Sequence, residues 1–347
     1  MRIYDIVYLT NTPSFYKLNL CEAISRRGVK ILIVLYGYGA EAVNTQLEDT
    51  QHWDFDFEFI NQGDAHKRNK VVTFFRLIRL MRRIRTRKVL YAGWMAPEYN
   101  AYAFLSPRSK NAMVCESSIL DVSLVGMKGW LKRKIIHRMS TVLPSGMPHQ
   151  QLFESIGFRG KSFITGSVGI FNKSNREPKR KNKQLKFIFV GRLVEVKAVD
   201  LLIDVFNKNG LPLTIVGDGV LRENLESKAN ANISFVGFIP NDKIGMYYSD
   251  HDIFILPSCY EPWGLVVEEA LFRGLPVIVS DKVGSGIDMV RNLGTGEFFK
   301  SGDVQSLQNA IEKVSANYVD YCKAVDAIDW EKRDNDQVDA YIKLLNS

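Results

Sequence analysis

Long apolar runs are missing from this 347-residue chain. None approaches the ~18 residues that a helix needs to cross a bilayer, which argues against a membrane-spanning class. Cysteine is scarce: Cys21, Cys115, Cys259 and Cys322 stand far apart with no C-x-x-C pair. That spacing argues against a thiolate metal site or a disulfide framework and favours a reducing, cytoplasmic setting. The opening residues MRIYDIVYLTN lack the apolar core of a signal peptide and read as a first strand. What is present is ordinary globular material, 46% hydrophobic and 24% charged. The length suggests two domains. Charge is uneven. Residues 1–150 hold 22 Lys and Arg against 12 Asp and Glu, whereas the whole chain is +8. An anionic partner met by the N-terminal half follows from that asymmetry.

Taken in order, short apolar runs alternate with helical patterns. Strands are expected at Ile3–Leu9, Lys30–Tyr36, Asp54–Ile60, Val89–Gly93, Asn111–Cys115 and Thr141–Pro144, with loops at residues 37–52 and 61–69. DFDFEFI alternates acid and apolar residues, as an edge strand with one wet face does. A long helix is expected over Lys70–Thr86, with Val71, Phe74, Phe75, Ile78, Met81 and Arg85 near one face and Arg76, Arg79, Arg82 and Arg83 on the others. Three readings fit this basic stretch, residues 67–88: a solvated face, a helix resting on anionic lipid, or nucleic-acid binding. A second basic stretch, residues 126–138, contains Trp130 and strengthens the lipid reading. No nucleic-acid motif accompanies the charge. Past the polar segment Asn172–Gln184, which suits a linker, strands and helices alternate regularly. The expected class is therefore α/β, two doubly wound parallel sheets with the active site in a cleft between them.

The chain is organised around Ile253–Ser280, IFILPSCYEPWGLVVEEALFRGLPVIVS. This is one strand–loop–helix–strand unit, and its polar loop belongs at the carboxyl end of a strand, where open α/β sheets bind ligands. Glu261 in the loop and Glu269 in the helix frame it. Three upstream turns follow strands: Gly191-Arg192 with Lys197, Gly217-Asp218-Gly219, and Gly237-Phe238. Tight glycine turns, two cations and a helix start suit a diphosphate. None of the three is a G-x-G-x-x-G fingerprint or a G-K-[ST] loop. In the first half, Glu116 just past a strand is a candidate ligand, with a helix cap or surface loop as the plain alternative.

In this order the segments VGRLVEVKAVDLLIDVF, LTIVGDGVLRENLE, ISFVGFIP and EPWGLVVEEALFRGLPVIVS resemble the nucleotide-binding domain of retaining glycosyltransferases of family 4, which have the GT-B fold. The resemblance implies three parts: an acceptor-binding Rossmann-like domain at 1–168, a nucleotide-sugar domain at 169–325, and a final helix at 326–347 crossing back to the first. It places Arg192 and Lys197 on the donor diphosphate, Glu261 on the transferred sugar and Glu269 on the ribose. Gly191, Gly217 and backbone groups of Trp263, Gly264 and Leu265 would meet the donor, and Phe238 the base. Glu268 falls off the signature and reads as solvent-facing or structural. The family's Gly-Gly pair with a following Glu appears as Gly284-Ser285-Gly286-Ile287-Asp288. After the first strand its usual Gly-Gly pair is Asn11–Tyr16 here, and Glu116 stands where a His is frequent, which leaves Tyr16 and Glu116 as acceptor-side candidates.

The implied activity is metal-independent transfer of a hexosyl group from a nucleotide diphosphate-sugar, without a cofactor. The acceptor would be a lipid-linked or surface-glycan precursor, as in polysaccharide, O-antigen or lipopolysaccharide assembly, with peripheral contact at the inner membrane face. A nucleotide-sugar isomerase or epimerase on the same fold, and a basic nucleic-acid-binding protein, are the rival readings.

Overall fold

The computed structural model describes residues 1–11, 13–37, 53–62, 67–120, 122–173 and 184–347. Most of the loop expected at 37–52 and of the linker expected at 172–184 lies outside them. The chain divides into two compact units, Met1–Phe171 with Glu331–Ser347, and Asn172–Trp330.

The first unit is a seven-stranded parallel sheet: β1 (Arg2–Thr10), β2 (Ile31–Leu35), β3 (Asp56–Phe59), β4 (Ile84–Ala92), β5 (Asn111–Cys115), β6 (Thr141–Pro144) and β7 (Lys161–Ser162), ordered β3-β2-β1-β4-β5-β6-β7. Strands buried on both sides read as continuous apolar runs, and ILIVL of β2 is buried throughout. Alternate residues feed two cores. Val7, Leu9, Leu32 and Val34 pack with Leu77, Leu80 and Met81 of the helix Lys70–Met81. Ile6, Tyr8, Ile31 and Ile33 pack on the other face with Leu18, Cys21 and Ile24, and with Val338, Tyr341 and Leu344 of the last helix, Trp330–Leu345. β3 is an edge strand, as β7 is at the other side, and Tyr4 donates a hydrogen bond to its Asp56.

The helix expected to reach Thr86 stops at Met81. Ile84, Arg85 and Thr86 instead pair with Arg2, Ile3 and Tyr4 of β1. The signal was local: Arg83, Arg85 and Arg87 alternate with Ile84, Thr86 and Lys88, a period of two that a helix does not have. The buried face of the helix also differs. Thr73, Leu77, Leu80 and Met81 face inward, while Val71 and Phe75 are each 64% exposed.

The second unit is a six-stranded parallel sheet: β8 (Phe187–Val190), β9 (Leu213–Val216), β10 (Ile233–Gly237), β11 (Ile253–Leu256), β12 (Val277–Ser280) and β13 (Gly296–Phe299), ordered β10-β9-β8-β11-β12-β13. Sequence reasoning placed no elements between the glycine segment at 284–288 and Asp329. The structure has there β13, the π-helical turn Gly286–Arg291 and the helices Val304–Ala316 and Tyr318–Asp326. Both units are parallel, helix-flanked sheets, as the alternation of strands and helices along the chain leads one to expect.

Candidate functional site

In the second sheet the chain runs outward from β8 to β10, then returns to place β11 on the other side of β8. The switch point lies between β8 and β11, and open sheets bind ligands outside the strand ends at such a point. Gly191 and Arg192 follow β8; the loop from Pro257 to Gly264 follows β11.

Backbone hydrogen bonds tie these turns together. The Gly191 N–H donates to Val216 O (3.0 Å), Leu193 N–H to Asp218 O (2.8 Å) and Cys259 N–H to Val196 O (2.9 Å). Gly217 has φ +134°, and a Cβ there would lie 1.9 Å from the carbonyl oxygen of Gly191. The close approach this glycine permits is to the neighbouring turn. Gly217→Ala is expected to destabilise the second unit by about 2–3 kcal/mol, read as a lower denaturant midpoint.

Two residues assigned to different parts of a ligand meet each other. Lys197, on the single turn Glu195–Lys197, forms an ion pair with Glu261. Their side chains are 15% and 13% exposed. Ser258 Oγ adds a hydrogen bond to Glu261 Oε2 at 3.4 Å. Arg192 is exposed and has no ion pair among the described residues. The loop is braced from the far side: Gly284 N–H donates to Glu261 O and Ser285 N–H to Trp263 O, both at 2.9 Å. That is where the Gly284-Ser285-Gly286 stretch sits.

Gly264 adopts φ +90° as the cap of the helix Leu265–Phe272, a conformation that favours glycine. Its first N–H groups point out of the helix end, beside Glu261. Within the helix the adjacent glutamates diverge. Glu268 is buried (3% exposed) and accepts a hydrogen bond from Trp263 Nε1 at 2.6 Å, so it is structural and does not face solvent. The Trp263 side chain is therefore core, leaving its backbone for a ligand. Glu269 accepts from Tyr248 Oη at 3.4 Å. Burial pushes its carboxyl up to about 7, against the Tyr248 hydrogen bond; Glu268 raises it further and Arg273 lowers it. One carboxylate of the pair thus lies against a lysine, and the other has its carboxyl raised to about 7, chiefly by burial. Phe238, after Gly237, is 58% exposed.

In the first unit, Glu116 follows β5 and pairs with buried Lys17 (2.9 Å), a residue sequence reasoning did not single out. Glu116 and Lys17 line a cavity with Asn11, Trp94, Tyr99 and Asn100; Tyr16 does not line it, and its carbonyl accepts from Ile170 N–H. Two Asp-x-Asp sequences occur in this unit, Asp54–Asp56 at the edge strand and Asp334–Asp336 on the last helix. No cluster of three metal-ligating side chains occurs among the described residues.

Residues 171–328 match the protein family described as Glycosyl transferases group 1. An uncharacterized glycosyltransferase, MJ1607, of Methanocaldococcus jannaschii is 29% identical over 140 residues, 38% of this chain and 36% of that protein. A GDP-mannose-dependent alpha-mannosyltransferase of Mycobacterium tuberculosis is 35% identical over 117 residues, 34% of this chain and 30% of that protein. The chain thus matches only about a third of the length of these relatives. Among solved structures, the lipopolysaccharide outer core galactosyltransferase WaaB superposes with TM-score 0.71 at 13% identity, covering 98% of this chain and 99% of its own. Anabaena Alr3699/HepE in complex with UDP-glucose gives TM-score 0.67 at 16% identity, covering 99% and 97%.

Proposed function

We propose, from the match of residues 171–328 to the glycosyl transferases of group 1, that the protein transfers a hexosyl group from a nucleotide diphosphate-sugar to an acceptor hydroxyl, with retention at the anomeric carbon and without a metal. The observation that carries this reading is the Lys197–Glu261 pair set beside the Gly264 helix start at the switch point of the second sheet. UDP and UDP-glucose in the Anabaena neighbour support a nucleotide-sugar donor.

In the step, the bond from the anomeric carbon to the diphosphate oxygen breaks and the acceptor oxygen bonds that carbon on the same face. The acceptor proton passes to the departing diphosphate. Negative charge grows on the leaving group, and Arg192, Lys197 and the first N–H groups of the helix Leu265–Phe272 are the groups to stabilise it. Lys197 then shares its charge between Glu261 and the diphosphate. Glu261 is left to accept from a sugar hydroxyl, and Glu269 from the ribose diol. A panel of UDP-, GDP- and dTDP-sugars in thermal shift tests the reading, because a donor at 100 times its Kd stabilises by about 2.7 kcal/mol. At least one should raise the melting temperature and be consumed with an acceptor; consumption without acceptor would point to an isomerase.

We place the acceptor at an anionic membrane surface. Val71, Val72 and Phe75 are exposed on the helix Lys70–Met81, alongside exposed Arg79, Arg82 and Arg83. On Gly126–Ile136, Met127 (83% exposed) and Trp130 (57%) stand among lysines. Apolar and cationic groups on one exposed surface suit a lipid interface. Not all the charge contributes: Arg68 is spent on Glu98 and Arg76 on Asn61. Among the described residues no helix is long and apolar enough to cross a membrane. Vesicles of anionic lipid should float the protein at low salt. Changing Arg79, Arg82 and Arg83 together to Gln should weaken partitioning by ~10²-fold, at about 1 kcal/mol per cation. Flotation that ignores both salt and these changes would sink the idea.

A further inference from the structure

The helix Leu265–Phe272 and the short helix Ile244–Ser249 meet at two points. At the first, Tyr248 Oη donates to Glu269 Oε2 at 3.4 Å. The second lies one turn along on each side. Gly245 precedes Tyr248 by three residues, and Arg273 follows Glu269 by four, its N–H donating to Glu269 O at 3.1 Å. Those spacings put each pair on one helix face. A Cβ on Gly245 would lie 3.1 Å from Arg273 Cζ and Nη2 and 3.2 Å from Nη1. At such nearly equal distances the guanidinium lies flat against the bare backbone that the missing side chain exposes. Its Cζ is 5.4 Å from the Phe272 ring, and Arg273 is only 6% exposed.

A guanidinium stays protonated even when buried, so burying one calls for a negative charge to set against it. The groups that act on Glu269 are few. Tyr248 comes from the facing helix, and Glu268 and Arg273 from its own. β11 (IFIL) and β12 (VIVS), which pack on this helix, carry no titratable side chain. Glu268, buried against Trp263 Nε1, opposes ionisation of its neighbour. Among the described residues Arg273 is the sole cation acting on Glu269. The ionisation matters because a carboxylate only accepts, and it holds two hydroxyl donors more strongly than a protonated carboxyl does.

We propose that Arg273 is the positioning residue of the nucleotide-facing carboxylate: seated on Gly245, it supplies the positive charge beside which Glu269 binds as an anion. Arg273 touches no ligand and acts through Glu269. That Glu269 holds a nucleotide rests on the transferase reading; the action of Arg273 on Glu269 does not.

Two measurements on the full chain test this. The first follows the unfolding free energy of the ligand-free protein from pH 5 to 10 by denaturant titration. Glu269 holds its proton more tightly in the folded state, so the stability it lends is complete below 4.5 and lost as pH rises through about 7. Arg273→Met raises the folded value, and the loss should extend about one pH unit or more higher, the usual scale for removing an opposite charge. Arg273→Lys keeps a cation and should stay closer to the parent. Arg273→Gln, which keeps N–H donors without the charge, replaces Arg273→Met if that variant does not fold. The second measurement is calorimetric binding of UDP, GDP and dTDP from pH 6 to 9. The half-point of affinity against pH should move up by the same amount in Arg273→Met, with binding at pH 7 weakened ~10-fold. Added to Glu269→Gln, Arg273→Met should change affinity by less than about twofold, because nothing is left for it to act through. A stability profile that does not move, a bound nucleotide whose pH profile does not move, or a further ~10-fold loss in the double variant would each overturn the inference and leave the transferase reading in place. A shifted stability profile with none of the three nucleotides bound would do the reverse: Arg273 would still set the charge on Glu269, and the transferase reading would fall.

Discussion

Lys197→Ala should lower donor turnover by ~10²-fold or more, the usual scale for removing one group that stabilises leaving-group charge. It should also cost about 3 kcal/mol of stability, because it strands Glu261 at 13% exposure without its counter-charge. The two effects separate in a double change. Lys197→Met with Glu261→Gln replaces the ion pair by neutral groups of similar size, and such replacements are often neutral in stability. The double variant should regain most of the melting temperature while remaining inactive. Arg192→Ala supplies the contrast. Arg192 is exposed and unpaired among the described residues, so its loss should spare stability and reduce turnover by a similar ~10²-fold. Near-normal turnover in both Arg192→Ala and Lys197→Ala would remove these residues from the chemistry.

The second large effect concerns Glu269 and runs in opposite directions for stability and binding. Its carboxyl sits at about 7 in the folded chain against 4.5 ordinarily, chiefly through burial. The folded state therefore holds this proton more tightly than the unfolded one. The stability it contributes is complete below pH 4.5 and is lost as pH rises through about 7. At 1.36 kcal/mol per pH unit the loss reaches at most about 3 kcal/mol by pH 8. Glu269→Gln keeps the neutral shape at every pH. It should flatten this dependence and raise the unfolding free energy at pH 8 by about 2–3 kcal/mol, measured by denaturant titration. Donor affinity should move the other way. A ribose diol donating to Glu269 favours the carboxylate, so nucleotide binding should strengthen between pH 6 and 8 in the parent. In Glu269→Gln it should be ~10-fold or more weaker and insensitive to pH over that range. A variant that binds UDP-sugar as well as the parent would show that this carboxylate does not hold the nucleotide.

Both predictions rest on features that differ in how far the linear chain displayed them. The grammar of residues 185–280 is local: four-residue apolar runs such as FIFV, LTIV and IFIL end at glycine or proline, and a helical period follows. These patterns need no partner to be recognised, so β8 to β12, their turns and the spacing of Glu261 from Glu269 were legible, whereas β13 was not. The orientation of the adjacent glutamates was less so. At 100° per residue Glu268 and Glu269 both flank the buried face, and only Trp263, folded back over the helix start, decides that Glu268 is the one tied into the core.

What only the tertiary structure decided involves residues far apart in the chain or atoms lacking a partner. Lys197 and Glu261 are separated by 64 residues, and their pairing depends on β8 and β11 becoming neighbours. The period of two in residues 83–88 announces a strand after the helix from Lys70, but that its partner is β1, with Ile84–Thr86 beside Arg2–Tyr4, is a long-range pairing the linear chain does not display. Trp94, Tyr99 and Asn100 look like an ordinary aromatic turn in sequence; that each has a polar atom buried with no hydrogen-bond partner among the described residues is a property of the packed sheet end. Periodicity fixes which residues point inward. Long-range strand pairing determines which of them meet, and the chemistry of both sheet ends depends on those meetings.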